Sequence, residues 1–347
     1  MKGIILHGGH GTRLRPLTHT GPKQLLPIAK KPMSQYCIES ISEAGITDIA
    51  IVIGGLGSNK VKEYYKNGEN FSVNLTYIEQ DYPRGIAHAI RLCKDFVSNE
   101  KFMVFLGDNI IQKSISEFAN NFERSKYDAS ILLCEVNNPS RFGIADVKNG
   151  KILKIMEKPK NPPSNLAVTG IYFLTPKIFD IIDRLKPSGR NELEITDALQ
   201  MLLEEKHNIS YNVITDYWKD TGTPEDIINA NSEILAHKKG SIIDKTASLG
   251  SGSHILDNSI IGMNCKIGNN VTIGPNTSIG DNVIISVGDN PTDHIEIKNS
   301  IIMSNCKIEG QFVIENSIIS SNCHIKRNKE KTQEKIFLLG EGTKISL

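Results

Sequence analysis

The chain has 347 residues, more than one typical domain and enough for about two. Its 40 Lys and Arg balance 39 Asp and Glu, so a net charge of +1 gives no overall field favouring nucleic acid or an acidic membrane. With 39% hydrophobic and 23% charged residues it has the composition of an ordinary globular protein rather than a disordered one.

The first residues are basic: Lys2, Arg13, Arg15, Lys23, Lys30 and Lys31 all precede the first acid, Glu39. No apolar run reaches the ~18 residues of a membrane span. The apolar start is also too short for the ~7–15-residue core of a signal peptide. We therefore expect no membrane partner, no nucleic acid, and a cytoplasmic location.

Over the first ~240 residues, short apolar runs alternate with helical periodicity, the pattern of an α/β protein with a mainly parallel sheet. Strands are expected at 3–6, 48–53, 75–79, 102–106, 129–134 and 170–174. Helices are expected at 34–44, 86–96, 178–185, 195–205 and 224–237, the last with Thr223 as N-cap and Pro224 at its start.

The first strand runs straight into Leu6-His7-Gly8-Gly9-His10-Gly11-Thr12-Arg13. This is neither a P-loop nor the dinucleotide fingerprint. Gly8, Gly9 and Gly11 would still let backbone N–H groups approach phosphate oxygens, and Arg13 adds a donor fork suited to phosphate. The bland alternative is a glycine-rich turn. Lys23 stands between Pro22 and Pro27 on a stiff loop, suited to phosphate or simply solvated. Gln80 and Gly85 follow a strand and could read a base edge. Asp108 closes the strand 102–106, where a carboxylate can hold a divalent cation or merely cap a turn. Glu157, Lys158 and Arg190 could bind a sugar phosphate. Asp220 follows the only Trp, Trp218, and with Thr223 free to cap the next helix it is available for another task.

After Gly240 the period becomes six. Ile243, Leu249, Ile255, Ile261, Ile267, Ile273, Ile279 and Ile285 recur without a miss, and a small residue follows most of them by four. That is the hexapeptide signature of a parallel β-helix, three sides to a coil. The register breaks at 286–296, expected as a projecting loop, and resumes at Ile302, Ile308, Ile314, Ile319 and Ile325. Cys265, Cys306 and Cys323 take the small slot, and all six cysteines are expected as packing thiols. The expected division is 1–240, a catalytic domain; 241–326, the β-helix; and 327–347, a charged linker with a docking strand.

In this order, the segments 8–18, 21–27, 80–89, 106–109, 157–159, 168–172, 190–197 and 218–224 resemble the sugar-1-phosphate nucleotidyltransferase family across essentially the whole chain. Gly21-Pro22-Lys23-Gln24-Leu25-Leu26-Pro27 is most similar to its thymidylyl branch, in the long form with a C-terminal left-handed β-helix. The resemblance implies a Rossmann-like nucleotidyltransferase domain with a mixed, mainly parallel sheet. It implies Mg²⁺-dependent transfer from dTTP to glucose 1-phosphate, with leakage to UTP, and a homo-oligomer assembled partly through the β-helix. Arg13 and Lys23 would be catalytic. Leu6, Gly8, Gly9, Gly11, Thr12, Arg13, Gln80, Pro83, Gly85 and Asp108 would bind nucleotide. Asn109, Gly143, Glu157, Lys158, Val168, Tyr172, Arg190 and Trp218 would bind the sugar phosphate. Asp108 and Asp220 would hold the metal. The chain departs from the family at His7, usually Ala, and at Asn191, usually Gly. Two rival readings remain: a second, acyl-transferring activity in the β-helix, and a non-catalytic sugar-nucleotide binder.

Overall fold

The computed structural model describes residues 1–9, 11–238, 240–287, 293–327, 334–335 and 337–346. The chain forms two compact units, Met1–His10 with Met33–Asp220, and Gly11–Pro32 with Thr221–Leu347. Before the repeats the elements run β1 (Lys2–Leu6), β2 (Pro27–Ile28), β3 (Lys31–Pro32), α1 (Met33–Glu43), β4 (Asp48–Ile53), α2 (Asn59–Tyr65), β5 (Asn74–Glu79), α3 (Ile86–Arg91), α4 (Lys94–Val97), β6 (Phe102–Leu106), β7 (Asn109–Ile111), α5 (Ser116–Arg124), β8 (Ala129–Glu135), β9 (Gly143–Lys148), β10 (Lys151–Glu157), β11 (Leu166–Leu174), α6 (Lys177–Ile182), α7 (Ile195–Glu204), β12 (Ile209–Ile214), β13 (Trp218–Asp220) and α8 (Pro224–Ala236).

In the first unit the main sheet has the order β10-β9-β11-β6-β1-β4-β5, and β8 joins β11 to β12. Strands β6, β1, β4 and β5 are parallel, while β11 runs antiparallel to β6. Consecutive residues such as Ile4 and Ile5, or Phe102 through Phe105, are fully buried, so both sheet faces are covered. This explains why these strands read as continuous apolar runs rather than alternating ones. The strand ends of β1, β4, β5 and β6 therefore open on one edge, where the functional loops begin. The expected helix 86–96 divides into α3 and α4 at Leu92-Cys93. Strands β2, β3, β7, β9, β10, β12 and β13 and helices α2 and α5 extend the expected set.

In the second unit the repeats form a left-handed parallel β-helix. Each side is a parallel sheet whose strands come from successive coils. Ile243 pairs with Ile261 and Ile261 with Ile279, eighteen residues apart; Ile302 then pairs with Ile319, seventeen apart. The anchors fill the interior at 0–2% exposure from Ile261 to Ile325. Asn258, Asn264, Asn270, Asn276 and Asn282 hold left-handed corners, with φ between 52 and 58°. Asn tolerates that conformation better than other residues with a Cβ. Corner amides on adjacent coils bond in a ladder, Asn264 to Asn282 to Asn305 to Asn322.

Cys265, Cys306 and Cys323 are buried in the small slot, and Cys37 and Cys93 are buried elsewhere; Cys134, near the end of β8, is only partly covered. Leu338–Leu339 pair with Ile318–Ile319, and Lys344–Ser346 with His324–Lys326, adding a rung to the coil. Residues 288–292 of the expected projecting loop and 328–333 of the expected linker lie outside the described residues.

One side of the coil differs from the other two. Its outward row, Ile260, Ser278, Ile301 and Ile318, is buried. Ile260 packs with Leu235 of α8 and Ala29 of the β2–β3 turn. The doublets Ile260-Ile261, Ile301-Ile302 and Ile318-Ile319 lie on this side, and both residues of each are buried.

Candidate active site

The first unit brings most of the expected site residues to the ends of its strands. Leu6 ends β1 between Val52 of β4 and Leu106 of β6. Gly8 follows, and a Cβ there would lie 3.3 Å from Oε1 of Gln80. Gln80 is buried at the end of β5, and its Nε2 lies 2.8 Å from Nδ1 of His88 in α3. An amide N–H donates, so Nδ1 accepts and the ring is neutral. Burial, then Arg91 and Arg84, lower the His88 pKa and favour the same form. His88 thus turns the carbonyl end of Gln80 toward Gly8. Gly85 adopts φ +100°, and a Cβ would come within 2.4 Å of the Leu193 carbonyl oxygen. Only glycine fits, so Gly85 has a packing reason as well as any ligand reason. Pro83 lies in the same loop, beside the Asp81–Arg84 ion pair.

At the end of β6, Asp108 and Asn109 meet β13. Asp220 pairs in register with Asn109 across the β7–β13 ribbon, one position along the chain from Asp108. Asn109 is 2% exposed and oriented from both sides. Its Nδ2 donates to Asp108 Oδ1 at 3.1 Å, and its Oδ1 accepts from Trp218 Nε1 at 2.8 Å. Trp218 is held in turn by an edge contact with Phe142. Among the described residues no cluster of three or more His, Cys, Asp or Glu forms a metal cage. Mg²⁺ does not need one: it takes one or two carboxylates and completes its shell with phosphate oxygens and water. The hard oxygen donors of Asp108 and Asp220 fit that ion.

His7 lies behind this edge. Its ring is buried, and neither nitrogen has a hydrogen-bond partner among the described residues. A Cβ on Gly107 would clash with it at 2.8 Å, so Gly107 makes room for the ring.

A second group gathers around Glu157, the last residue of β10. Its Oε1 accepts from Arg190 at 3.1 Å and its Oε2 from Thr196 Oγ1 at 3.1 Å. Lys158 lies 3.5 Å from the same carboxylate. Arg190 also donates to buried Glu194, at 2.7 Å and 3.1 Å. Gly143 faces Glu157 in the β9–β10 register. A Cβ on Gly143 would lie 2.6 Å from Thr196 Cγ2 and 3.3 Å from Glu157 Oε2, with Val168 behind. Buried Tyr172 completes the group; its hydroxyl pKa is raised by burial, then by Glu157 and Asp108. Asn191 takes φ +59°, the left-handed form its glycine counterpart would adopt freely.

The remaining residues belong to the second unit. Gly11 is left-handed and opens a short turn, Thr12–Leu14, and its carbonyl accepts from Thr18 Oγ1 at 2.8 Å. Arg13 lies along Gly222, where a Cβ would come within 3.2–3.4 Å of its guanidinium. Lys23 opens another turn, Lys23–Leu25, after extended Pro22. Thr223 caps α8 as expected: Asp226 N donates to its Oγ1, and its own N donates to Asp226 Oδ2. Asp220 therefore takes no part in that cap.

Sequence reasoning missed His88, Glu194 and Thr196 as supports. Glu194 and Thr196 lie inside the matched segment 190–197. His88 lies inside the matched segment 80–89, but nothing local pairs it with Gln80, eight residues away around a turn.

Comparison with known proteins finds matches along both parts of the chain. The nucleotidyl transferase family model matches residues 2–237, the bacterial transferase hexapeptide model (six repeats) 238–275, and the GMPPB C-terminal domain model 266–346. The chain is 36% identical to a glucose-1-phosphate thymidylyltransferase of Streptomyces antibioticus, covering 100% of this chain and 99% of that one. It is 48% identical to the low-salt glycan biosynthesis nucleotidyltransferase Agl11 of Haloferax volcanii, over 69% of this chain and 67% of that one. Among solved structures, a putative glucose-1-phosphate thymidylyltransferase from Bacillus anthracis superposes with a TM-score of 0.64 at 43% identity, covering 67% of this chain and 94% of that one. No helix among the described residues is long and apolar enough to cross a membrane. The chain belongs to the nucleotidyl transferase family and carries a hexapeptide-repeat β-helix as its C-terminal part.

Proposed function

We propose that this enzyme transfers a thymidylyl group from dTTP to glucose 1-phosphate, giving dTDP-glucose and pyrophosphate. The reading rests above all on the full-length relative named for that reaction. Residues 1–240 would carry the reaction. The coil from 241 to 326, with the tail 327–347, would serve assembly with sister subunits.

The nucleophile is a phosphate monoester oxygen. Its second pKa is ~6, so it is already anionic near neutral pH and needs no general base. The obstacle is repulsion between anions, together with charge on the departing pyrophosphate. Positioning and electrostatic stabilisation must therefore carry the catalysis. Arg13 would neutralise the leaving pyrophosphate, with the backbone N–H groups of Gly8, Gly9, Gly11 and Thr12 serving the triphosphate. Lys23 would sit on the phosphates at the reacting centre. Mg²⁺, held by Asp108 and Asp220, would supply positive charge to phosphate oxygens. Gln80, oriented by His88, and Gly85 would read thymine, with Leu6 and Pro83 lining the base. Asn109, Gly143, Glu157, Val168, Tyr172 and Trp218 would enclose glucose, and Lys158 and Arg190 would serve its phosphate.

Pyrophosphate release, measured with dTTP and Mg²⁺ against a panel of sugar 1-phosphates, tests the sugar assignment. Glucose 1-phosphate should give the highest kcat/KM. A faster galactose or N-acetylglucosamine 1-phosphate would overturn that half of the proposal. An acetyl-CoA arm with an amino-sugar phosphate tests acyl transfer, for which no turnover is expected.

A further inference from the structure

The hairpin that follows Lys23 is built in an unfavourable way. Its two turn residues, Ala29 and Lys30, have φ of 48° and 67°. Two consecutive left-handed residues suit Asn-Gly; Ala and Lys incur a steric penalty there. Such a turn persists only where its surroundings over-determine it.

Three contacts within the second unit do so. The Ala29 N–H donates to Asn231 Oδ1 at 2.9 Å, and Lys30 Nζ lies 2.5 Å from Asp281 Oδ1. The Ala29 methyl packs with Leu235 and Ile260. Asn231 is fully buried on α8 and faces the coil as well. Its Oδ1 also accepts from Ser278 Oγ at 2.8 Å, and its Nδ2 donates to the Asn276 carbonyl at 3.2 Å. One amide therefore joins three pieces of chain: the hairpin after Lys23, the helix that ends the catalytic sequence, and the outward row of the β-helix. Asp281 is itself fixed, because its Oδ1 accepts from Met263 N and its backbone N–H donates to Ser304 Oγ.

We infer that Asn231 is a positioning residue for nucleotidyl transfer: it clamps the β2–β3 hairpin onto the β-helix and so fixes where Lys23 is presented. The coil is thereby part of the apparatus that sets the phosphate-binding segment, in addition to any part in assembly. The inference rests on the phosphate role proposed for Lys23 and deepens it.

The test compares Asn231→Ala, Asn231→Asp and Asn305→Ala in the full chain. Asn305 sits in the exposed corner ladder, so its variant controls for general loosening of the coil. Two readouts are needed. Hydrogen exchange at the Ala29 amide requires no substrate; it should speed up at least about tenfold in Asn231→Ala and stay unchanged in Asn305→Ala, because only the former removes the acceptor. Steady-state kinetics should show kcat/KM falling about tenfold or more in Asn231→Ala, chiefly through kcat, as expected when a reacting group is misplaced. Asn231→Asp keeps an acceptor for Ala29 and Ser278 but sets a carboxylate oxygen against the Asn276 carbonyl, so it should restore slow exchange at Ala29 and only part of the kinetic loss. If Asn231→Ala fails to fold, Lys30→Ala carries the same two measurements, since it cuts the second clamp from a partly exposed position. Unchanged exchange at Ala29 in folded Asn231→Ala, or an equal kinetic loss in Asn305→Ala, would overturn the inference. Wild-type protein with no nucleotidyl transfer would refute the proposed function instead, while exchange would still decide whether the clamp exists.

Discussion

His7 shows how one buried side chain can set the acid tolerance of this protein. Burial lowers its pKa from 6.5 to about 3, against the opposing pull of Asp108. The folded value lies below the unfolded one, so the unfolded chain takes up the proton first. The stability held by neutral His7 is complete above pH 6.5 and drains away as pH falls toward 3. At pH 5 the loss should be about 2 kcal/mol, from about 1.4 kcal/mol per pH unit. Denaturant unfolding of wild type and His7→Ala at pH 7.5 and pH 5 checks this: the variant should lose less on acidification, and parallel losses would remove His7 from the account. Two further single-residue changes bear on the reaction. Lys23→Ala and Asp108→Asn should each lower kcat/KM by about a hundredfold or more while leaving the fold intact, as expected of groups that act on transition-state charge; near-wild-type turnover in either would take that residue out of the mechanism. Gly143→Ala should raise KM for the sugar phosphate and cost about 1–3 kcal/mol of stability, because the new methyl meets Thr196 Cγ2 and Glu157 together.

At the scale of elements, the β-helix is the most redundant part of the chain, yet each anchor is closely packed. Ile302 is 1% exposed inside the prism, so Ile302→Ala should cost about 2–5 kcal/mol. Thermal unfolding measures it, and a loss below half a degree would mean that the coil collapses freely around the gap. The repeat was legible because its anchors recur at six and its strands are too short for anything but stacked coils. The parallel strands were legible because burial on both faces makes Phe102–Phe105 and Ile49–Ile53 read as unbroken apolar runs. The hairpin β9–β10 had a signal that went unused: Asn149-Gly150, both left-handed, joins it. The β7–β13 ribbon had none. Three-residue strands more than a hundred residues apart pair only once the sheet has placed β6. Order along the chain could therefore hint that Asp108 meets Asp220, but only the folded sheet brings the two strands into register. The support that His88 gives Gln80, and the clamp at Asn231, are tertiary in the same way. That one side of the coil is covered was not read from the sequence; what covers it depended on Ala29 and α8.

For the whole molecule, balanced charge hides a division of labour. The basic segment bearing Arg13 and Lys23 belongs to the unit that contains the coil, whereas Asp108, Asp220, Gln80 and Glu157 belong to the other unit. Within the second unit the Asn231 clamp joins the hairpin after Lys23 to the coil, which gives the repeats a reason to be on this chain beyond association between copies. The base is the least constrained part of the assignment, because thymine and uracil differ by one methyl, and such a difference is worth about 1–3 kcal/mol in a pocket. A solved UDP-glucose pyrophosphorylase complexed with UDP-glucose shares the fold at a TM-score of 0.62 and 30% identity, so the choice has to be measured. The most direct measurement is a competition: equal dTTP and UTP, limiting glucose 1-phosphate and Mg²⁺, with the two sugar nucleotides resolved and quantified. dTDP-glucose should be in excess by about 10–200-fold, with a measurable UDP-glucose fraction. Equal products, or an excess of UDP-glucose, would contradict it.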